Sequence, residues 1–428
     1  MGNILKKNEN RAVLVVPVMA HERRERSIEA QCKEIGGLAC AIHLDIACIE
    51  AVKISRVNAG KLFTAGGVEK ISIWAEKYEA GLLIIDSSLT PIQQRNLERE
   101  LKMKVLDRTG LILEIFGERA RTAEGQLQVD LAHLIYQKSR LVRSWTHLER
   151  QRAAAGFMGG PGETQIEADR RQIQTRILSI RRKLDKVRKT RALHRKQRRQ
   201  APWPVIALVG YTNAGKSTLF NTITKSEVVA ENMLFATLDP TLRMVKLSGG
   251  RKIMLADTVG FVSALPTELI AAFRATLEEV LEADIILHIR DISHPDSAVQ
   301  KQDVLRVLGS LGVQEHVPIL EVLNKSDLLD ETKRSFWGDG LLVSAEQNDG
   351  MDRLLERIEQ ELSKNIVNIS LELSVEDGQA LAWLHRNGEM LSEKGRENGN
   401  LHITARLDKV QLGRFCKKYP HYHPNKVS

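Results

Sequence analysis

Short apolar runs recur along this chain, separated by stretches with helical spacing. Ala12-Val13-Leu14-Val15-Val16 is the first, Leu82-Leu83-Ile84-Ile85-Asp86 the second and Lys104-Val105-Leu106-Asp107 the third. Runs of four or five such residues predict strands. Between them, Pro91 to Lys102 has a helical pattern, with Thr90 as its cap and Pro91 in the first turn. The alternation predicts an N-terminal parallel α/β domain over residues 1–110. Gly60, Gly66 and Gly67 lie in a loop whose spacing matches no phosphate or dinucleotide loop.

The pattern then changes period. Leu127, Leu131, Leu134, Leu141, Trp145 and Leu148 fall on three- and four-residue steps, with Lys138 at the missing step. Ile173, Ile177, Ile180, Leu184 and Val187 repeat the stripe. Between the stripes, Gly156-Phe157-Met158-Gly159-Gly160-Pro161-Gly162-Glu163 breaks any helix. The expectation is a long antiparallel helical hairpin over 111–200 with a glycine-rich tip. Gln200-Ala201-Pro202-Trp203-Pro204 marks the boundary to a third domain, 201–365. Beyond it, alternation at 369–373 and 401–407, each followed by a helical pattern, predicts a small α+β C-terminal domain, 366–428, of β-α-β-α form.

The third domain carries the chemistry. Val205-Ile206-Ala207-Leu208-Val209 leads into Gly210-Tyr211-Thr212-Asn213-Ala214-Gly215-Lys216-Ser217, with helix-like Thr218-Leu219-Phe220-Asn221 beyond. A helix N-terminus leaves backbone N–H groups unpaired and favours anions. Gly210 and Gly215 let the loop curl around phosphates. Lys216 brings a point charge to the outer phosphates, and Ser217 a hydroxyl to magnesium. Ile253-Met254-Leu255-Ala256 ends in Asp257-Thr258-Val259-Gly260. Asp257 is placed to hold magnesium through its water shell. Gly260 lets a backbone N–H approach the terminal phosphate.

Ile319-Leu320-Glu321-Val322-Leu323 ends in Asn324-Lys325-Ser326-Asp327. The Asp327 carboxylate can accept from guanine N1–H and the 2-amino group, donors that adenine lacks. The expected ligand is therefore GTP or GDP. Leu341-Leu342-Val343 leads to Ser344-Ala345-Glu346, where backbone groups can meet guanine O6. Leu234-Phe235-Ala236-Thr237-Leu238-Asp239-Pro240-Thr241 reads as a loop that orders around the terminal phosphate and magnesium. Thr237 is its metal-binding threonine, with Thr241 the competitor. Lys216, Thr237 and Gly260 are the expected catalytic groups. The whole is a P-loop GTPase domain with a doubly wound, Ras-like sheet. Phe261 stands where Ras-like GTPases place a water-orienting glutamine, and its ring cannot hydrogen-bond a water. Asn213 offers another route: by analogy with GTPases lacking that glutamine, it would help hold a potassium ion beside the phosphates.

Composition adds the partner class. The 428 residues carry a formal charge of +9, which favours polyanions. Arg181 to Arg199 contains eleven Lys or Arg and one acid, Asp185. Such a run repels itself until phosphates neutralise it. Base-reading modules are absent, so structured RNA is preferred to DNA. Cys32, Cys40, Cys48 and Cys416 form no C-x-x-C pair, which suggests a reduced, cytoplasmic protein. No apolar run is long enough for a membrane span, and no signal peptide is read. A monomer is expected.

The tip sequence Gly156 to Asp169, the phosphate loop with Asn213, Phe235 to Thr241 and Asp257 to Phe261 together resemble the bacterial HflX GTPases. The resemblance covers essentially the whole chain and is strongest over 105–330. It implies a Mg-dependent, ribosome-associated GTPase that binds the large subunit and separates stalled or hibernating ribosomes under stress. It implies that the glycine-rich tip reaches toward the peptidyl-transferase centre. Lys216 and Ser217 would hold phosphate and magnesium, Thr237 the magnesium, and Asn324 and Asp327 the guanine. Glu346 departs from the lysine of many relatives. Two alternatives stay open: a large-subunit assembly GTPase, and an RNA-binding occlusion factor that uses nucleotide only as a conformational switch.

Overall fold

The computed structural model describes residues 8–20, 26–153, 161–198, 203–225, 234–235, 241–263, 278–314, 316–335, 337, 340–364, 366–374, 376–395 and 400–427. It begins with β1 (Asn8–Met19), α1 (Ile28–Cys40), β2 (Asp45–Ile54), α2 (Ala65–Lys77), β3 (Ala80–Ile85), α3 (Pro91–Leu101), β4 (Lys104–Asp107) and α4 (Arg108–Arg119). The four strands pair in the order β2-β1-β3-β4, all parallel. Helices cover both faces, so Leu14 and Ile84 enter one apolar layer while Val13, Val15 and Leu83 enter the other. The expected cap is present: Thr90 Oγ1 accepts from Gln93 N at 3.2 Å, and Pro91 opens α3. The apolar pattern had not announced β2. It is an edge strand, and Asp45, Glu50 and Lys53 interrupt its apolar residues.

Helices α5 (Ala123–Ala153) and α6 (Pro161–Arg198) form the hairpin. Leu131, Ile177 and Leu184 are buried in its seam, with Leu127, Leu134, Ile173 and Ile180 against them. Lys138, the polar break in the first stripe, donates to the Gln174 side chain. One polar pair in an apolar seam specifies a register. Tip residues 156–160 lie outside the described residues, but α6 already begins at Pro161. The expected break therefore does not extend over 161–163: proline is accepted in a helix's first turn.

The third sheet segment comprises β5 (Val205–Gly210), α7 (Lys216–Thr224), β6 (Thr241–Lys246), β7 (Lys252–Asp257), α8 (Glu278–Leu281), β8 (Ile285–Asp291), α9 (Ser297–Leu311), β9 (Ile319–Asn324), α10 (Glu331–Ser335) and α11 (Met351–Ser363). Its order is β6-β7-β5-β8-β9, parallel except for the β6–β7 pair. The run Leu341–Val343 is not a full strand. It makes a single parallel bridge, Leu323 to Leu342, because the chain turns again at Ser344. One apolar core joins this sheet to the first: Leu14, Ile35, Ile112 and Phe116 share it with Val209, Tyr211, Phe261 and Val262.

The last unit is β10 (Ile366–Ser374), α12 (Gly378–Asn387), β11 (Glu389–Gly395), β12 (Asn400–Asp408), α13 (Lys409–Lys418) and β13 (Asn425–Val427). Its sheet is antiparallel, in the order β11-β12-β10-β13. It has two strands more than the expected β-α-β-α pattern. Both are edge strands: β11 is mostly polar and β13 spans three residues. Among the described residues, no helix is long and apolar enough to cross a membrane.

The hairpin's integrity is testable at its seam. Ile177→Ala removes a side chain that is 2% exposed, a change that costs about 2–5 kcal/mol in a packed site. Amides of α6 should then exchange hydrogen faster while those of β5 keep their protection. Unchanged exchange in α6 would mean that the seam does not hold the two helices.

Candidate functional site

The phosphate loop joins the end of β5 to the start of α7. Gly215 has φ +89°, and a Cβ there would collide with the Asn324 side-chain amide. The residue must therefore be glycine for β9 to approach the loop. Asn324 Nδ2 donates to Ala214 O at 2.8 Å, and its Oδ1 accepts from Ala345 N at 3.1 Å. Asn324 thus brackets the phosphate loop to the Ser344-Ala345-Glu346 turn. The same turn is tied to α7, where Thr222 Oγ1 donates to Ala345 O at 2.8 Å.

Lys216 is buried and donates to Tyr211 O at 2.9 Å. Burial pushes its ammonium down to about 8, against the opposing pull of Asp257. Ser217 Oγ donates to Asp257 Oδ2 at 2.7 Å, and Asp257 is fully buried. A hydroxyl and a buried carboxylate converging beside a phosphate loop are the donor set that suits magnesium. Thr212 Oγ1 is buried without a hydrogen-bond partner among the described residues, so the loop still offers a polar group. Thr258 Oγ1 donates to Leu208 O at 2.6 Å, which holds the segment after β7 against β5. A Cβ on Gly260 would lie 2.9 Å from Lys216 Nζ. That closeness places the Gly260 backbone directly beside the Lys216 ammonium.

The remaining expected residues divide. Thr218 lies in the first turn of α7, the helix that the phosphate loop feeds. Asn213 is exposed, with φ +61°. Lys325 pairs with Asp291 at 2.8 Å. Asp327 is half-buried on the turn just after β9. Ser344 and Ala345 are buried and Glu346 is exposed. Val259 is buried in the core shared with the first sheet. Ala236, Thr237, Leu238 and Asp239 lie outside the described residues, while Thr241 opens β6. Phe235 packs edge-on against Phe116 of α4, with centroids 4.7 Å apart.

Phe261 is 1% exposed and sits in the core shared with the first sheet. Its backbone pairs with the phosphate loop: Thr212 N donates to Phe261 O at 2.7 Å and Phe261 N to Gly210 O at 3.1 Å. Two residues on, Ser263 enters a buried polar cluster that the sequence reading missed. Ser263 N donates to Tyr211 Oη at 2.8 Å, and Ser263 Oγ donates to Glu34 at 2.9 Å. Tyr211 Oη donates to Glu34 at 2.7 Å. Arg108 donates to Ser263 Oγ at 2.7 Å and pairs with Glu34 and Asp86. Arg26 donates to Tyr211 Oη at 3.0 Å and pairs with Glu34 and Asp303. Burial works to raise the Glu34 carboxyl, but Arg108, Arg26 and the Tyr211 hydroxyl hold it below the usual range. A signal was present in the sequence: Asp86 and Asp107 are acids at the carboxyl ends of otherwise apolar strands, where a charge needs a partner.

Phosphate loop, buried hydroxyl–carboxylate pair and base-side turn, set at the ends of a doubly wound sheet, define a P-loop GTPase. Comparison with known proteins makes this specific. Family models match in sequence along the chain: "GTP-binding GTPase N-terminal" over 29–117, "GTP-binding GTPase Middle Region" over 119–198, "50S ribosome-binding GTPase" over 205–325 and "HflX C-terminal domain" over 333–420. The GTPase HflX of Magnetococcus marinus is 45% identical over 386 residues, 89% of each chain. That of Caldanaerobacter subterraneus is 40% identical, over 92% of this chain and 90% of its own. That of Escherichia coli is 42% identical, over 80% and 81%. The chain belongs to the HflX family of GTPases.

The buried lysine gives the site a pH signature. Free protein loses the Lys216 charge above about pH 8, and bound phosphates restore it, so binding takes up a proton. GTP affinity should be level below that pH and fall above it by at most about tenfold per pH unit. Calorimetry near pH 9 in two buffers of different ionisation enthalpy reads the proton uptake directly. Equal apparent enthalpies would contradict the assignment.

Proposed function

We propose that this GTPase binds the large ribosomal subunit through its hairpin and separates stalled or hibernating ribosomes under stress. The observation that carries the proposal is the outward face of α6. Leu184 turns into the seam, while Arg181, Arg182, Lys183, Lys186 and Lys189 are exposed. Exposed cations along one helix of a two-helix arm suit a phosphate backbone, and such contacts carry no sequence information. The description of the family model over 205–325, "50S ribosome-binding GTPase", supports the same partner.

Within the site, Lys216 holds the outer phosphates and Asp327 reads the guanine edge. Ser217, backed by Asp257 and joined by Thr237, holds magnesium, which neutralises charge on the phosphates. Phe261 contributes no water-orienting group, so intrinsic turnover is slow and the large subunit accelerates it. Hydrolysis times release rather than making a product.

Two measurements test this reading. Asp327→Asn should weaken GTP by about 1.5–3 kcal/mol and favour XTP, whose 2-oxo group accepts where guanine donates. Unchanged affinities for both would remove the base assignment. Sucrose-gradient profiles of assembled ribosomes with the protein and GTP should show subunits accumulating. Charge reversal at Lys183 and Lys186 should weaken that effect, which itself should decline steeply with salt. Binding confined to immature particles would instead indicate an assembly factor.

A further inference from the structure

Asp107 and Arg108 are neighbours in sequence that hold two different parts of the molecule. Asp107 ends β4 and is 1% exposed. Its carboxylate caps α4, accepting from Gly110 N at 2.8 Å, and accepts from Leu89 N at 3.1 Å. It also accepts from Tyr136 Oη and Arg140 Nη2, each at 2.7 Å, and both residues belong to α5 of the hairpin. The Arg140 guanidinium lies over the Tyr136 ring, 4.1 Å from its centroid. The hairpin is therefore rooted on a buried charge. Arg108, the next residue, reaches the other way, to Glu34, Asp86 and Ser263.

From Ser263 the contacts lead to the phosphate loop. Ser263 N binds Tyr211 Oη, and Tyr211 O is the acceptor of Lys216. Phe261, between Gly260 and Ser263, is paired to the loop on both sides of Tyr211. Open sheets of this order take a ligand at the β1/β3 switch point; here Asp86, which directly follows β3, pairs with Arg108. A terminal phosphate that draws on Gly260 must pull against Ser263 three residues on.

We propose that Asp107 and Arg108 are positioning residues that couple the seat of the hairpin to the phosphate loop. Movement of α5 at Tyr136 and Arg140 shifts the start of α4. Arg108 passes that shift through Ser263 and Glu34 to Tyr211, and so to Lys216 and Gly260. The coupling runs both ways, because it is a free energy shared by two sites. It deepens the ribosome reading by naming the route through which a partner on the hairpin would alter the nucleotide site.

The test uses the full chain and two mild changes, each removing one hydroxyl: Tyr136→Phe on the hairpin and Ser263→Ala beside the phosphate loop. The first readout is dissociation of a fluorescent GDP without ribosomes. Tyr136→Phe, remote from the nucleotide, should speed GDP release roughly threefold or more. In the Ser263→Ala background the same change should have little further effect, so the two fail to multiply. An unchanged rate in Tyr136→Phe, or effects that multiply independently, would overturn the proposal. Arg140→Lys, which keeps a cationic donor for Asp107, should disturb the rate less than Arg140→Ala if positioning is the cause. The second readout is acceleration of GTP hydrolysis by purified large subunits, which should fall in Tyr136→Phe. Coupling in the first readout with no acceleration of the wild type in the second would sustain the linkage and sink the large-subunit reading instead.

Discussion

The structure depends on one buried carboxylate. Glu34 on α1 meets Arg26 and Arg108 of the N-terminal unit and Tyr211 and Ser263 of the GTPase unit. Taking charges out of water costs several kcal/mol per ion, repaid only where the hydrogen bonds are complete. Here the Glu34 oxygens have two guanidinium and two hydroxyl donors, which is why its carboxyl stays ionised despite burial. Such a cluster adds little net stability, but removing one partner leaves an uncompensated charge. Its contribution is to fix one way of docking the first sheet onto the phosphate loop.

Apolar contacts supply the adhesion that the cluster orients. Phe235 packs on Phe116, and Leu234 meets Gly37 closely enough that a Cβ there would lie 3.1 Å from Leu234 Cδ1. Phe261 and Val262 complete the shared core. The start of the loop before β6 and the segment after β7 are thus both held by the N-terminal unit. In a GTPase these are the segments that respond to the terminal phosphate. Burying Phe261 there also explains the missing glutamine in spatial terms: that position faces a neighbouring sheet rather than solvent and the phosphates.

The parts legible in the sequence were those with strong local signals. Strands buried on both faces, such as β1, β3 and β5, read as apolar runs, and the nucleotide motifs lay at the ends of β5, β7 and β9. The two heptad stripes gave the hairpin, and even the break at Lys138 proved to be a paired position. Edge strands β2 and β11 escaped because half-exposed strands carry charges like any surface segment. The Glu34 cluster escaped for a different reason. An acid after an apolar run, such as Asp86, signals that it needs a partner but does not name one. The cluster's members are separated by up to 277 residues, from Arg26 to Asp303.

The docking account makes one direct demand on the molecule. Hydrogen exchange of the full chain should be compared with GDP bound and with a non-hydrolysable GTP analogue bound. Amides at Gly260 to Ser263, at Arg108 to Ile112 and at Tyr136 to Arg140 should change together when the nucleotide is exchanged. Changes confined to the phosphate loop and its adjoining segments, with α4 and α5 indifferent to the nucleotide, would contradict it.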